Sequence, residues 1–304
     1  MSEHIVHTAI LEDSFHIGVG LPKIPESFRE VMRDFENFSR LGCITVSGDQ
    51  FSFRLLEEYK PLWPRRDELL KAKLAFVLGW ISHRACDREM KPIWREPKMK
   101  GRGSDVDPNL SPTECSVYHE GVMYNRYYAV DPTFRLAIFP EDLACLDGIE
   151  RIDLDRAALF IQQAFGASYM NIQTLSDTDG MQTFFEEMCM RAQKFYVDLR
   201  RYTRSAGSPD PELTAEYVTD INWIDNHDEI VNLAVRLRGG ETPSPAEYES
   251  ALAAEPASHY GKALRLSLSY ILTAAEYFER DDMGIAELKK RLDIGKKGPG
   301  GLAV

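Results

Sequence analysis

One histidine and one aspartate have the spacing of a metal-binding pair. His83 and Asp87 lie four residues apart in the segment GWISHRACD. On a helix, side chains at this spacing project from the same face, about one turn apart. An imidazole nitrogen and a carboxylate oxygen so placed can bind zinc or a related divalent ion. Because the neighbouring residues are apolar, a metal ion or a simple His–Asp hydrogen bond would offset the cost of burying the carboxylate.

Three further segments contain a residue able to bind a metal. His7 lies in HTAILED, Asp49 ends the segment LGCITVSGD, and His119 lies in ECSVYHEG, within another predicted helix. Two of them have an ordinary interpretation when taken alone. A histidine such as His119 is often found on a helix surface, and an aspartate that follows a glycine, such as Asp49, is typical of a turn.

In this order the segments resemble the zinc-dependent phospholipase C superfamily, which also contains the single-strand-specific zinc nucleases. That family has an N-terminal histidine, then a leucine–glycine–small–small stretch ending in aspartate. An apolar helix reading glycine–aromatic–x–x–histidine–x–x–x–aspartate follows, and then a histidine-bearing helix. The matching elements here are His7, LGCITVSGD, GWISHRACD and the YHE that contains His119. The resemblance covers about residues 4–125.

The resemblance implies an all-α fold, a single multi-helix bundle of the zinc-dependent phospholipase C type, around two or three zinc ions. It implies five metal ligands, namely His7, Asp49, His83, Asp87 and His119. Asp87 would bridge two ions, and Asp49 or a bridging hydroxide would drive water onto a phosphorus centre, so Asp49 and Asp87 are the catalytic candidates. Zinc lowers the pKa of a bound water to about 7, which makes this chemistry possible at neutral pH.

Two positions depart from the family pattern. The histidine–proline pair expected after the HxxxD helix is Lys91-Pro92 here, and a protonated lysine cannot bind a metal. Met123 stands four residues after His119, where a carboxylate is expected. We assign Lys91, which can receive an anionic group, and Glu120 to the substrate side of the site. The departures leave one to three zinc ions, or another divalent metal, as the expected cofactor.

Three functions remain open at this point. The first is a metal-dependent hydrolase, acting on a phosphoester with a zinc-activated water, and we favour this enzyme. The second keeps the fold with a one-metal or repurposed site, acting as a lyase or isomerase on a small metabolite. The third is a non-catalytic helical scaffold, in which His83 and Asp87 form a buried polar pair. Stoichiometric bound metal separates the third function from the other two.

Helical periodicity predicts the elements that must position these residues. A helix is predicted over residues 67–90, with Asp67 as its N-cap and Pro92 as its stop. The best alternating strand pattern is short and covers residues 43–53. Further helices are predicted over residues 154–170, 179–203, 212–238, 245–255 and 258–279. These patterns predict one all-α metal-binding domain over residues 1–294, followed by a flexible C-terminal tail over residues 295–304.

Composition excludes several kinds of partner. The chain has 36 lysines and arginines against 48 aspartates and glutamates, a net charge of −12, which disfavours duplex nucleic acid and anionic membranes. Its five scattered cysteines fit a reduced compartment. The longest apolar run, LAFVLGWI, is too short for a transmembrane segment, and we find no signal peptide. We therefore expect a cytoplasmic protein, or a mature form whose leader was removed, with a small-molecule or phosphoester substrate.

Overall fold

The computed structural model describes residues 4–44, 49–99, 112–123, 126–127 and 223–298, together with positions 211, 214, 215 and 218. Every regular element in this part of the chain is helical, which confirms the all-α prediction there. The α-helices are α1 (His4–Gly20), α2 (Glu26–Asp34), α3 (Glu36–Ile44), α4 (Asp49–Tyr59), α5 (Glu68–Met99), α6 (Pro112–Met123), α7 (Glu229–Arg238), α8 (Pro245–Ala253), α9 (His259–Glu279) and α10 (Ile285–Arg291). A 3-10 helix, Lys60–Arg65, joins α4 to α5. The helices predicted over 154–170 and 179–203 lie outside the described residues.

The central element is α5, which packs against α1, α3, α4, α6 and α9. It begins as predicted, because the Asp67 carboxylate accepts a hydrogen bond from the Leu70 backbone N–H at 2.9 Å. Residues 74–87 are all buried, so this stretch is covered on every side by other helices. Among the helices in the described ranges, none combines the length and the apolar character that crossing a lipid bilayer requires.

The predicted stop at Pro92 is wrong, since α5 continues to Met99. A proline inside a helix removes one backbone hydrogen bond and costs about 3 kcal/mol. The next two side chains, Ile93 and Trp94, are only 3% and 2% exposed. Burial of a large apolar side chain contributes about 1.5–3 kcal/mol. Packing of this pair therefore offsets the cost of the proline, and the helix carries Trp94 towards α1.

Two glycines let α3 approach α5 closely. A Cβ atom added at Gly42 would lie 2.1 Å from the carbonyl oxygen of Phe76, and one added at Gly79 would lie 1.9 Å from that of Ser39. Any larger residue at either glycine would therefore push the two backbones apart. This close approach places the end of α3, with Cys43, beside α5.

The strand pattern over residues 43–53 is also not confirmed, because its described residues belong to α3 and α4. Phe53, Leu56 and Tyr59 are buried at three-residue intervals, which is a helical spacing. The predicted strand ends at Phe53, whereas α4 continues to Tyr59. The helical spacing of its apolar residues becomes visible only when residues beyond Phe53 are included.

The helix predicted over 212–238 is interrupted. Residues 223–228 form turns, and α7 begins only at Glu229. The buried carboxylate of Asp228 accepts hydrogen bonds from the backbone N–H groups of Ala257 and Ser258, at 2.7 and 2.9 Å. These bonds hold Asp228 against the segment before α9, which fixes the turn that precedes α7.

A buried group of charged side chains ties α1 to α3 and α7. The Glu12 carboxylate, fully buried, pairs with Arg40 at 2.8 Å and with Arg238 at 3.2 Å. Its neighbour Asp13, also fully buried, pairs with Arg238 and accepts a hydrogen bond from the Tyr260 hydroxyl at 2.7 Å. Each of the two buried carboxylates therefore faces a guanidinium group, and Arg40 also pairs with Glu36 at 3.1 Å, so these ion pairs fix α1 in the bundle.

Candidate metal centre

Three side chains from two helices converge in the interior. His7 lies on α1, and His83 and Asp87 lie on α5; one ligand atom of each lies within 4.8 Å of the other two. The Nε2 atom of His7 is 3.3 Å from Asp87 Oδ1, and the Nε2 atom of His83 is 3.3 Å from Asp87 Oδ2. All three residues are buried. The structure thus brings together three of the five ligands that the resemblance implies.

The α5 side of this group follows from helical spacing alone. His83, Asp87 and Lys91 succeed one another at intervals of four residues, and Trp94 follows three residues later. These intervals keep all four side chains on one face of the helix. The HxxxD pair therefore shares one face of α5, as the sequence predicts, and in the structure this face contacts His7 on α1.

The orientation of His83 is set by a backbone carbonyl. Its Nδ1 atom lies 2.6 Å from the carbonyl oxygen of Cys43, so Nδ1 carries the proton and donates. Cys43 is in the last turn of α3, where carbonyl groups have no partner further along the helix. Nε2 is then the ring nitrogen that faces Asp87, and it is the atom that could bind a metal once it carries no proton. Metal-binding histidines are held in this way by a hydrogen bond from their second ring nitrogen.

Two aromatic rings fix the position of His7. Its ring stacks on that of His83, with centroids 4.2 Å apart and planes 24° apart, and the ring of Trp94 lies 5.8 Å away. Since Trp94 is in the part of α5 that follows Pro92, the continuation of the helix completes this wall of the site.

Glu120 supports the same helix from its N-terminal end. Its carboxylate accepts hydrogen bonds from the backbone N–H groups of Ile5 and Val6, the latter at 2.8 Å. These amides belong to the first turn of α1, where N–H groups lack helical partners and a negative charge is stabilising. Glu120, which the sequence assigns to the substrate side, is thus found holding the turn that carries His7.

The charge of Asp87 depends on its neighbours. Burial by itself raises the pKa of this carboxyl group, but the nearby His83 and the hydrogen bonds from His7 and His83 outweigh burial and hold the pKa well below its usual 3.8. Asp87 is therefore ionised at neutral pH. The Lys91 ammonium lies 2.6 Å from Asp87 Oδ2, so Lys91, assigned by its sequence position to an anionic substrate, contacts the candidate ligand itself.

The remaining two predicted ligands are placed differently. His119 lies on α6, is fully buried, and packs its ring perpendicular to Trp223 at a centroid distance of 5.3 Å. It does not belong to the group of three. Asp49 is the first residue of α4, and its side chain lies outside the described residues. Their roles as ligands stay predictions.

The three donors fit a divalent metal ion. Two imidazoles and one carboxylate are the protein ligands of many catalytic zinc sites and of some iron sites. Each Nε2 lies 3.3 Å from one oxygen of the carboxylate, His7 from Oδ1 and His83 from Oδ2, and one ligand atom of each residue lies within 4.8 Å of the other two. The Cys43 thiol is not part of this group of three; its sulfur contacts the Thr8 hydroxyl and the Arg40 carbonyl instead. The group could therefore hold a metal ion.

Sequence reasoning missed the residues that position these ligands. The Cys43 carbonyl is a backbone group, and its approach to His83 depends on Gly42 and Gly79, which look like ordinary helix glycines in the sequence. Trp94 carries a signal that could have been used, because it continues the helical spacing of His83 beyond the proline.

Fold and site together define a helical protein with a buried group of two histidines and one aspartate that could hold a metal. Comparison of the chain with protein-family models, with curated proteins and with solved structures found no match. The functional interpretation therefore depends on the geometry of this group.

Proposed function

We propose that this chain is a metal-dependent hydrolase of a phosphoester, built on a helical bundle of the zinc-dependent phospholipase C type. The observation that carries the proposal is the convergence of His7, His83 and Asp87, with His83 fixed by the Cys43 carbonyl. If His83 and Asp87 served only to satisfy each other's hydrogen-bonding groups, the pair would not require the second imidazole, that of His7, which stacks on His83.

In this proposal each ligand has a separate task. His7 and His83 bind the ion as neutral imidazoles through Nε2, and Asp87 supplies the negative charge. When bound, a divalent ion supplies Lewis acidity and lowers the pKa of a coordinated water towards 7. Zinc is our first choice of ion, since imidazole and carboxylate ligands suit it.

The roles that we propose for Asp49 and His119 rest on the family resemblance. Asp49 begins α4, six residues after Cys43 in the chain, and α4 packs on α5. We assign it the removal of a proton from the attacking water. His119 is one residue before Glu120, which holds the first turn of α1, and we keep it as the ligand of any second ion.

One observation favours a second candidate function. The described group offers three ligands, enough for one ion, and the Lys91 ammonium lies on the carboxylate that would otherwise bridge two. A single Lewis-acidic ion beside a lysine suits a lyase or isomerase acting on a small anionic metabolite. This candidate keeps the metal site and changes the reaction.

The experiment combines metal analysis with a substrate panel. Protein loaded with Zn²⁺ and passed over a desalting column is assayed with bis-p-nitrophenyl phosphate, p-nitrophenyl phosphate and phosphatidylcholine. We expect stoichiometric zinc, turnover of at least one ester, and loss of both in His83→Gln and Asp87→Asn. His227→Gln is the matched control, because His227 also pairs with an aspartate, Asp225, but is 97% exposed.

The outcomes separate the candidates. Stoichiometric zinc without turnover of any phosphoester would contradict the hydrolase and favour the lyase or isomerase. Folded protein without stoichiometric metal would contradict both enzymes and leave the helical scaffold.

A further inference from the structure

The described contacts of Asp87 include one cation as well as two imidazoles. Lys91 Nζ lies 2.6 Å from Asp87 Oδ2, the oxygen that also faces His83 Nε2 at 3.3 Å. The Lys91 side chain is 23% exposed and that of Asp87 only 8%, so the lysine reaches the carboxylate from the solvent side. A metal ion held by the group would have to share this carboxylate with the ammonium.

The balance of charge makes this sharing unfavourable. With neutral imidazoles, Asp87 and Lys91 cancel each other. A divalent ion bound by His7, His83 and Asp87 would leave two unbalanced positive charges in a buried site, the ion and the ammonium repelling each other across a few ångströms. A small anion with two negative charges beside both of them would restore the balance, because it pairs with the ammonium and with the ion at once.

We infer that Lys91 is an internal counter-ion that competes with the metal for Asp87, and that an oxyanion of the phosphate class relieves this competition by pairing with the ammonium. The inference rests on the metal site of the proposed function and names the ligand that completes it. A lysine is suited to the task, because its four-carbon stem lets the ammonium move between two partners while its backbone stays in the helix.

This arrangement makes metal and anion bind cooperatively. The anion favours the state in which Lys91 has left the carboxylate, and the metal favours the same state. Coupling of this kind is reciprocal, so each ligand strengthens the binding of the other by the same factor. Without the lysine charge, the metal binds more tightly by itself and the anion adds less, because it then pairs with the ion alone.

The test measures binding and does not require turnover. The dissociation constant of Zn²⁺ is determined by competition with a chromophoric chelator, with and without phenylphosphonate, a non-hydrolysable phosphoester analogue, at constant ionic strength. The proteins are the full chain, Lys91→Met and Lys91→Arg. Lys73→Met is the matched control, since it removes the same charge from the same helix about 27 Å away along the axis. Circular dichroism verifies that each variant is helical.

We expect Lys91→Met to bind Zn²⁺ about tenfold more tightly than the unmodified chain when no anion is added. Phenylphosphonate should strengthen Zn²⁺ binding about fivefold or more in the unmodified chain, in Lys73→Met and in Lys91→Arg. Its effect should be clearly smaller in Lys91→Met, where the anion can pair only with the ion.

Two results would overturn the inference, and they differ from failure of the metal site. Stoichiometric zinc with the same affinity in Lys91→Met and in the unmodified chain would exclude competition by the lysine. An equal anion effect in both proteins would exclude the coupling. Absence of zinc from all variants would instead remove the metal site, and the proposed function with it.

Discussion

The Nδ1 atom of His83 donates a hydrogen bond to the carbonyl oxygen of Cys43 over 2.6 Å. This bond joins the ligand-bearing face of α5 to the last turn of α3. It satisfies a carbonyl that the helix leaves without a partner, and it fixes the tautomer in which Nε2 can bind a metal. The geometry of the site therefore depends on how closely the two helices approach.

Gly79→Ala tests that dependence. The added Cβ atom would lie 1.9 Å from the Ser39 carbonyl oxygen, so the helices must separate. We expect the free energy of unfolding to fall by about 1–3 kcal/mol and the affinity for Zn²⁺ to fall about tenfold or more, because His83 loses its acceptor. Denaturant unfolding and zinc titration measure the two effects. Gly284→Ala is the control, since nothing lies within 4 Å of a Cβ atom there. If Gly79→Ala left the zinc affinity unchanged, the hydrogen bond from His83 to the Cys43 carbonyl would not be needed for metal binding.

Asp87→Asn tests the ionised carboxylate in metal-free protein. The pKa of Asp87 in the folded chain is below its usual 3.8, so its negative charge stabilises the fold above about pH 4, and this contribution is lost as the pH falls further. We expect the substitution to lower the free energy of unfolding by about 3 kcal/mol at pH 6, and by clearly less at pH 3. Urea unfolding with a chelator present measures both values.

The control for this experiment is Asp281→Asn, which alters an exposed carboxylate after α9. It should change the free energy of unfolding little at either pH. A cost of Asp87→Asn that stays the same from pH 6 to pH 3 would show that charge is not what Asp87 contributes.

Glu120→Gln tests the support of His7 from α6. The two oxygens of Glu120 each accept one backbone N–H, from Ile5 and from Val6, and an amide has only one oxygen. One donor of the first turn of α1 would then face an NH₂ group. We expect a loss of about 1–2 kcal/mol in the free energy of unfolding together with weaker Zn²⁺ binding. Glu249→Gln, at an exposed position on α8, should change neither the free energy of unfolding nor Zn²⁺ binding. Equal behaviour of the two variants would contradict the role of Glu120 in holding the first turn of α1.

Arg238→Met tests the charged group that fixes α1. It removes the guanidinium shared by the buried carboxylates of Glu12 and Asp13. An uncompensated buried charge costs about 3–5 kcal/mol in the free energy of unfolding. Arg236→Met, two residues away on the same helix, breaks only more exposed pairs with Glu241 and Glu247, so its cost should stay below about 1 kcal/mol. Similar midpoints of thermal unfolding for the two variants would contradict this description of the core.

The part of the site on one helix could be predicted from local spacing. His83, Asp87 and Lys91 share a face because the helical repeat puts them there, and the Asp67 cap marks where that helix begins. His7 required the wider resemblance, because no local pattern connects it to α5.

The rest depends on tertiary packing. Pro92 is a helix stop by its own chemistry, and only the burial of Ile93 and Trp94 overrides it. The Cys43 carbonyl cannot be recognised in a sequence, because every residue has a carbonyl group. It accepts the hydrogen bond from His83 only because α3 and α5 approach closely at Gly42 and Gly79. The function assigned to Lys91 also changes once its ammonium is seen on Asp87.

X-ray absorption at the zinc edge of the loaded full chain tests the central claim most directly. We predict one zinc ion per chain with nitrogen and oxygen ligands at about 2.0–2.1 Å, including the multiple-scattering signature of two imidazoles, and loss of one imidazole in His7→Gln. Absence of stoichiometric zinc, or sulfur ligands at about 2.3 Å, would contradict the claim that His7, His83 and Asp87 form a metal centre.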